Sequence, residues 1–484
     1  MTLRFSKEDL LSFELASGDR NPLHSNPQYA RETPFGEVVV FGVQVLLTSL
    51  TLIFKQKKIS ISSLEVKFKK PVLLNQDYSV KCIFETETRF SASVSRLGLV
   101  CCEFSGLFAI RTNPDPLLSP GHSRIRDQSN SFSPQIDTSP CDFFYRLQDD
   151  PANNLFLKSI LALLPGSQVT ALLWSSYFVG MEYPGTQALF SELHCQFQSD
   201  HFDFSRPIRV TREWDDRISL ARITALFEDF GLIEASAFKR PETRKLNVAE
   251  ISEGLVEGNA FSGKTILVTG GSRGFGASLS LAFASQGARL FINYAASEER
   301  ARHVLQISRQ WGADCQLLKF NAGDDAEWAS ATRALAISQG YPDILFLNAA
   351  PFIPQRAFTE QTTEDWLEFV QLSLKSVVAP CQHLLPVLRP GSCVVLISSI
   401  YVAKPVKFFS HYIAAKAAAE QLMKSLALEF KSLRFIIVRP PKMDTDQTAS
   451  ILPSRTESPL AIAVKLLNHP VWNSSERVVE IDLA

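Results

Sequence analysis

The sequence predicts two folds in series: an α+β part over the first half of the chain, then an α/β doubly wound parallel sheet. Three observations predict it. An apolar stretch followed by alternating segments occurs over residues 38–110 and again over 167–239; a strand–helix alternation begins at residue 265; and two polar, Pro- or Ser-containing stretches, at 111–140 and 239–263, separate the pieces.

Length and composition set the frame. At 484 residues the chain is too long for one hydrophobic core. Its 45% hydrophobic and 20% charged content is that of a globular protein with ample material to bury. With 49 basic against 50 acidic residues, the net charge of -1 supplies no pull toward nucleic acid or an anionic membrane, and neither is expected as a partner. No apolar run reaches the roughly 20 residues that span a bilayer, and the opening MTLRFSKEDLL lacks the apolar core of a signal peptide, so the cytoplasm is the expected compartment. The eight cysteines are scattered, without a C-x-x-C pair; buried thiols are expected, with no metal site and no disulfide framework.

The first piece, residues 1–112, begins with turns and continues with VVVFGVQVLLTSLTLIF from Val38 to Phe54, a buried helix. SSLEVKFKKPV (Ser62 to Val72), YSVKCIFETE and GLVCCEFSGLFAI then read as antiparallel strands. After a linker at 113–140, residues 141–240 repeat the order: SQVTALLWSSYFVGMEYPG (Ser167 to Gly185) as helix, then TQALFSELHCQFQ, RPIRVTREW, ISLARITALFE and GLIEASAFKR as strands. The expectation is an internal duplication. A second linker at 241–262 leads to residues 263–484, where TILVTG, ARLFINY, CQLLKFN, DILFLNAA, SCVVLISS and RFIIVRP alternate with helices from about Gly274, from about Ser297 and around Tyr412. That βαβ rhythm builds a parallel sheet with helices on both faces.

The first candidate site is FELASGDRNPLHSNPQYA, Phe13 to Ala30. A carboxylate (Asp19), an amide (Asn21) and an imidazole (His24) fall within six residues, with Pro22 stiffening the turn. Adding water to an acyl chain beside a thioester, or removing it, needs one group for the water proton and one for the proton on the carbon next to the carbonyl; Asp and His together suit that task. Backbone N–H groups at the start of the buried helix are expected to serve the thioester oxygen, with Gly42 admitting the substrate to that backbone. The run aromatic, Ser-Gly-Asp-x-Asn-Pro-Leu-His, then Ala resembles the MaoC-like (R)-specific enoyl-CoA hydratase and dehydratase family. The resemblance is carried by Phe13, Ser17, Gly18, Asp19, Asn21, Pro22, Leu23, His24 and Ala30. It implies a hotdog fold in which Asp19 and His24 activate water and Asn21 orients the loop. The family's His-Gly at the helix start is Phe41-Gly42 here. The second piece resembles the other half of a double hotdog without the motif, and is expected to complete the fold and shape an acyl tunnel.

The second candidate site begins at TILVTGGSRGFGASLSLAFASQG, a strand, a glycine turn and a helix in the order a pyrophosphate site requires. Gly270, Gly274 and Gly276 permit the tight turn and close backbone approach. Asn348-Ala349-Ala350 ends a later strand, Ser399 ends the next, and Tyr412 and Lys416 follow on a helix. Their spacing of four puts both on one face, where the ammonium is expected to lower the phenol pKa while Ser399 holds a carbonyl oxygen. This piece resembles the short-chain dehydrogenase/reductase family, with its Rossmann-type sheet, and most of all its 3-oxoacyl reductase members. Thr269, Gly270, Gly274 and Gly276 match the glycine motif, and Ser399, Tyr412 and Lys416 the catalytic set. The resemblance implies cofactor contacts from Thr269, Gly270, Ser272, Arg273, Gly274, Phe275, Gly276, Asn293, Asn321, Asn348, Ala349, Tyr412 and Lys416. INYAASEER places no acid at the end of strand two, and Arg273 sits inside the turn; both favour NADPH over NADH. Among the departures, the helix Asn of the catalytic tetrad is Ser373, which is expected to hold the relay water in its place. Pro440-Pro441 replaces Pro-Gly, and VVEIDLA replaces the usual ending, with a lid expected around Met443 to Pro453.

Together these features predict a bifunctional enzyme that reduces a 3-oxoacyl thioester with NADPH and dehydrates the 3-hydroxyacyl product to a trans-2-enoyl thioester. The substrate is expected on CoA or an acyl carrier protein, and the protein as a homo-oligomer. Two alternatives stay open from sequence: a degradative pair of hydratase and dehydrogenase, and a binding or scaffold protein with one degenerate site.

Overall fold

The structure is a computed structural model that describes residues 1–31, 33–55, 57–111, 140–240, 258–338, 340–445 and 456–483. The described residues form two compact units, one of residues 1–240 and one of residues 258–483. The predicted linkers 113–140 and 241–262 and the lid around Met443 to Pro453 fall largely outside the described residues.

In the first unit, β1 (Thr2–Leu3), α1 (Lys7–Ser17), α2 (Pro22–Ser25) and α3 (Pro27–Arg31) precede α4 (Gly42–Phe54), and β2 (Ile59–Phe68), β3 (Tyr78–Phe84), β4 (Arg89–Arg96) and β5 (Leu99–Ile110) follow it. The second piece supplies β6 (Cys141–Phe143), α5 (Leu155–Leu161), α6 (Gly166–Tyr177), a π-turn at Phe178–Glu182, and β7 (Ala188–Phe197), β8 (Ile208–Asp215), β9 (Leu220–Phe227) and β10 (Gly231–Lys239). The strands make one antiparallel sheet in the order β1-β3-β4-β5-β2-β7-β10-β9-β8-β6. Read outward from the central β2–β7 pair, where Glu65 faces His194, both halves run in the same sequence of strands. The expected repeat is thus visible as topology, and the two pieces share one hydrophobic core. Leu46, Leu47 and Leu50 of α4 enter it together with Val169, Leu172 and Trp174 of α6. Each helix is apolar on most of its surface because each has sheet or helix around it.

The second unit carries seven parallel strands in the order β13-β12-β11-β14-β15-β16-β17. These are β11 (Thr265–Val268), β12 (Arg289–Tyr294), β13 (Cys315–Lys319), β14 (Ile344–Leu347), β15 (Cys393–Ile397), β16 (Arg434–Arg439) and β17 (Val478–Asp482). Between them run α7 (Gly274–Ala284), α8 (Glu298–Gln310), α9 (Asp325–Ser338), α10 (Thr363–Leu384), α11 (Ile400–Ala403), α12 (Ser410–Glu429) and α13 (Pro459–Leu467). Strands β11, β14 and β15 are buried at every position, as helices on both faces require. The order reverses between β11 and β14, and a ligand crevice belongs at the carboxyl ends there. One boundary shifts. Residues 258–262, expected as linker, belong to this unit: Phe261 is 8% exposed and packs on Phe283 and Trp472, at 4.7 and 5.5 Å between ring centres. The polar neighbours of Phe261 hid a buried anchor.

Candidate active sites

In the first unit the site begins where α1 stops. Ser6 and Asp9 cap the start of α1 reciprocally, and Gly18 ends it at φ 72°, its N–H bonded to the Glu14 carbonyl at 2.8 Å. That left-handed residue turns the chain inward, so Asp19 is only 2% exposed. The Asp19 carboxylate accepts the Asn21 N–H at 3.1 Å and the Ser176 hydroxyl at 2.8 Å. Asn21 caps α2 by accepting the Leu23 N–H at 3.1 Å, and its carbonyl accepts the His24 N–H at 3.0 Å. Consecutive hydrogen bonds therefore fix Asp19, Asn21 and His24 in one local frame. Nδ1 of His24 lies 2.6 Å from the Val39 carbonyl. A carbonyl only accepts, so Nδ1 carries the proton and Nε2 keeps its lone pair.

Phe41, at the place of the family's histidine, stacks on the His24 ring at 3.9 Å and meets Phe13 at 4.7 Å. This apolar casing has opposite effects on the two groups. Burial pushes the Asp19 carboxyl up to about 7, against the Ser176 and Asn21 hydrogen bonds, with Glu14 adding to the rise. Burial pushes His24 down to about 4, the Val39 bond opposing and the Arg240 charge assisting. The usual order of carboxyl and imidazole is inverted, which leaves a carboxylic acid and a neutral base on the same loop.

Three participants escaped the sequence reading. Ser176 and Gly180 come from the second piece, which was expected only to complete the fold and shape a tunnel. A Cβ at Gly180 would lie 2.5 Å from Asp19 Oδ1, so only glycine lets the π-turn close over the carboxylate. Arg240 is 4% exposed; it donates to the Tyr29 hydroxyl at 3.2 Å and the Thr186 carbonyl at 2.8 Å, and its Nε meets no hydrogen-bond partner among the described residues. Nothing in the local sequence of Ser176, Gly180 or Arg240 marks them; their roles come from pairings across about 150 residues or more. Gly42 begins α4, and a Cβ there would meet the Phe68 ring at 3.0 Å, so the glycine lets that ring lie against the helix start.

In the second unit the glycine turn leaves the end of β11. The Thr269 hydroxyl donates to the Phe346 carbonyl and accepts the N–H groups of Asn348 and Ala349 at 2.9 and 3.0 Å. The Asn348 amide donates to the Thr269 and Gly270 carbonyls. Asn293 accepts the Gly270 N–H at 3.3 Å and donates to the Leu318 and Phe320 carbonyls. Thr269, Asn293 and Asn348, all expected at the cofactor, thus spend their side chains on bracing the turn. Asn321 closes its own turn by accepting the Gly323 N–H at 3.0 Å. Ser272 and Phe275 are buried, and Phe275 joins the core. Gly270 and Gly274 have φ of 64° and 52°, and a Cβ at Gly276 would lie 2.2 Å from the Gly270 carbonyl oxygen. Arg273 is the N-cap residue of α7 and gives it no side-chain cap. The first-turn N–H groups of such a helix, behind a glycine cradle, suit an anionic pyrophosphate. After β12 the first acid is Glu298, engaged by Lys319 at 2.7 Å and Arg302 at 2.8 Å.

Ser399 follows β15 and caps α11, accepting the Tyr401 N–H at 3.2 Å. The Tyr412 hydroxyl hydrogen-bonds Ser399, and Lys416 lies one helical turn along α12 with Nζ 5.9 Å from the Tyr412 ring centre. The expected lowering of the phenol pKa does not occur. Burial pushes Tyr412 up to about 12, eased by Ser399 and raised further by Tyr401, while the Lys416 ammonium donates to the Ile397 carbonyl at 2.6 Å. Burial in turn brings Lys416 down to about 8, with Glu420 opposing. Glu420 is 2% exposed and paired with Arg439. Ser373 stands partly buried on α10, and its carbonyl accepts the Ser376 hydroxyl, which also donates to Ala349 at 2.9 Å. Ser376 is therefore the residue that ties α10 to the end of β14. Among the described residues no group of His, Cys, Asp or Glu is arranged to hold a metal, and no helix is long and apolar enough to cross a membrane.

Comparison with known proteins agrees with this division. The model of the MaoC like domain matches residues 1–95, and that of the short chain dehydrogenases matches residues 264–456. A 2,5-dichloro-2,5-cyclohexadiene-1,4-diol dehydrogenase of Sphingobium indicum is 31% identical over 199 residues, 40% of this chain and 79% of the relative. A 3-oxoacyl-[acyl-carrier-protein] reductase of Staphylococcus aureus is 29% identical over 192 residues, 39% of this chain and 78% of the relative. Among solved structures, a short chain dehydrogenase from Burkholderia cenocepacia J2315 in complex with NADP is 26% identical, covering 47% of this chain and 99% of its own, with a TM-score of 0.42. The chain belongs, through its second unit, to the short-chain dehydrogenase family, and carries a MaoC-like domain at its N-terminus.

Proposed function

We propose that this protein reduces a 3-oxoacyl thioester with NADPH in its second unit and dehydrates the resulting 3-hydroxyacyl thioester in its first. The observation that carries the reading is that each unit holds its own acid–base set with protonation states suited to one of the two steps. The first unit is read as a double hotdog whose second half completes the site through Ser176 and Gly180.

The glycine cradle from Gly270 to Gly276 and the start of α7 would hold a dinucleotide pyrophosphate, with Arg273 near the adenosine end. The engagement of Glu298 by Lys319 and Arg302 leaves the end of β12 without a ready carboxylate for a ribose hydroxyl, which favours the phosphorylated cofactor. A reduced nicotinamide, when bound, supplies the hydride. Ser399 and Tyr412 hold the ketone oxygen, and Tyr412 donates its proton to that oxygen. A phenol raised to about 12 is protonated at neutral pH, the form that reduction needs and oxidation does not. In the dehydration, His24 Nε2 takes the proton from the carbon beside the thioester carbonyl. The protonated Asp19 carboxyl gives its proton to the departing hydroxyl, which leaves as water.

The two steps are testable separately on the whole chain. Acetoacetyl-CoA should drive loss of reduced-nicotinamide absorbance, faster with NADPH than with NADH, and Tyr412→Phe should abolish it. Crotonyl-CoA should lose its enoyl absorbance by hydration, and Asp19→Asn should abolish that. A wild-type protein inactive in both assays overturns the reading, and a strong preference for NADH overturns its cofactor and direction.

A further inference from the structure

Tyr401 stands two residues after Ser399, in the short helix that Ser399 caps, and has no role in the mechanism above. Its backbone N–H is fixed to the Ser399 hydroxyl at 3.2 Å. Its ring leans on Phe409 at 5.9 Å between centres, tilted by 39°, and Phe409 is the N-cap residue of the helix that carries Tyr412. The side chain is thus clamped between the two catalytic segments, from the serine side through its backbone and from the tyrosine side through its ring. It is partly buried, and it lies near enough to Tyr412 for the two phenols to oppose each other's ionisation. No group among the described residues hydrogen-bonds its hydroxyl.

We infer that Tyr401 is a specificity-determining residue of the reductase site, its phenol donating a hydrogen bond to the second carbonyl of a 1,3-dicarbonyl acyl substrate while Ser399 and Tyr412 hold the first. The inference rests on the reductase reading above and deepens it. A 3-oxoacyl thioester carries two carbonyl oxygens on carbons separated by one, and the acceptor that is not reduced needs a donor beside the Ser399–Tyr412 pair. A monoketone offers no such acceptor and leaves the Tyr401 hydroxyl unmatched, and a site built to hydrogen-bond one group selects against ligands that lack it. The apolar face that Tyr401 and Phe409 share keeps the donor in place without competing for it.

The test compares two substrates on the full chain with NADPH: acetoacetyl-CoA and the monoketone cyclohexanone. Tyr401→Phe keeps the ring against Phe409 and removes only the hydroxyl. The ratio of kcat/KM for acetoacetyl-CoA to that for cyclohexanone should fall about tenfold, the factor a single hydrogen bond supplies. Affinity for NADPH, read from the fluorescence of the bound cofactor, reports on folding of the site and should stay within about twofold of wild type. A ratio that is unchanged or raised overturns the inference while wild-type reduction of acetoacetyl-CoA stands. Absence of that reduction in wild type overturns the reductase reading itself, and the inference with it.

Discussion

Replacing Ser176 by Ala should make the dehydratase site work at higher pH. The Ser176 hydroxyl donates to Asp19 at 2.8 Å and so favours the ionised carboxylate. Its loss raises the Asp19 pKa from about 7. A hydrogen bond to a charged group contributes roughly 1.5–3 kcal/mol, and one pKa unit corresponds to about 1.4 kcal/mol, so the expected rise is about 1–2 units. In both directions of the reaction the active form is the pair with one proton between Asp19 and His24. The kcat/KM profile for crotonyl-CoA hydration should be a bell bounded by about 4 and about 7 in wild type. At pH 8 the wild type works at about a tenth of its plateau, being one unit above its basic limit. The Ser176→Ala enzyme should recover much of its plateau there, with circular dichroism confirming the fold across the range. A basic limb that stays at about 7 or moves down refutes both the assignment of Asp19 as the acid and the role given to the second piece.

Other outcomes follow from the same geometry. Asp19→Asn should abolish hydration yet raise the thermal midpoint, by an amount that grows between about pH 4 and pH 7. A folded carboxyl raised from 3.8 to about 7 contributes instability that appears as pH climbs through that window, up to about 4 kcal/mol above it. Arg240→Met should move the acid limb of the hydration bell upward from about 4, because the buried guanidinium disfavours protonated His24. Gly276→Ala should weaken NADPH binding by more than tenfold in a fluorescence titration, since a Cβ 2.2 Å from the Gly270 carbonyl forces the turn open.

Much of this was legible in the sequence because it is local. The motif from Phe13 to His24 folds through contacts two to four residues apart, and the glycine turn and the Tyr412–Lys416 spacing are features of single elements. The succession of helices and strands along the chain followed from periodicity; the order of the strands within each sheet did not. What the sequence hid is what depends on distant partners. Ser176 and Gly180 look like ordinary helix residues until the fold sets them on Asp19, 157 residues away in the case of Ser176. Asn293 and Asn348 have the residue type expected of ligand contacts, yet unpaired backbone groups of the turn claim them first. Spacing puts Lys416 on the face of Tyr412 but gives no sign of the burial that raises the phenol, or of the Ile397 carbonyl that takes the ammonium. The boundary at residue 258 was missed because one buried phenylalanine is invisible in a polar average.

The central claim is that one chain performs two successive steps, and the direct measurement is the product sequence from acetoacetyl-CoA and NADPH, followed by mass. Wild type should form 3-hydroxybutyryl-CoA and then crotonyl-CoA, Asp19→Asn should stop at the hydroxy compound, and Tyr412→Phe should leave the substrate untouched. An Asp19→Asn enzyme that yields the wild-type mixture, or a wild type that consumes no NADPH, would contradict the account.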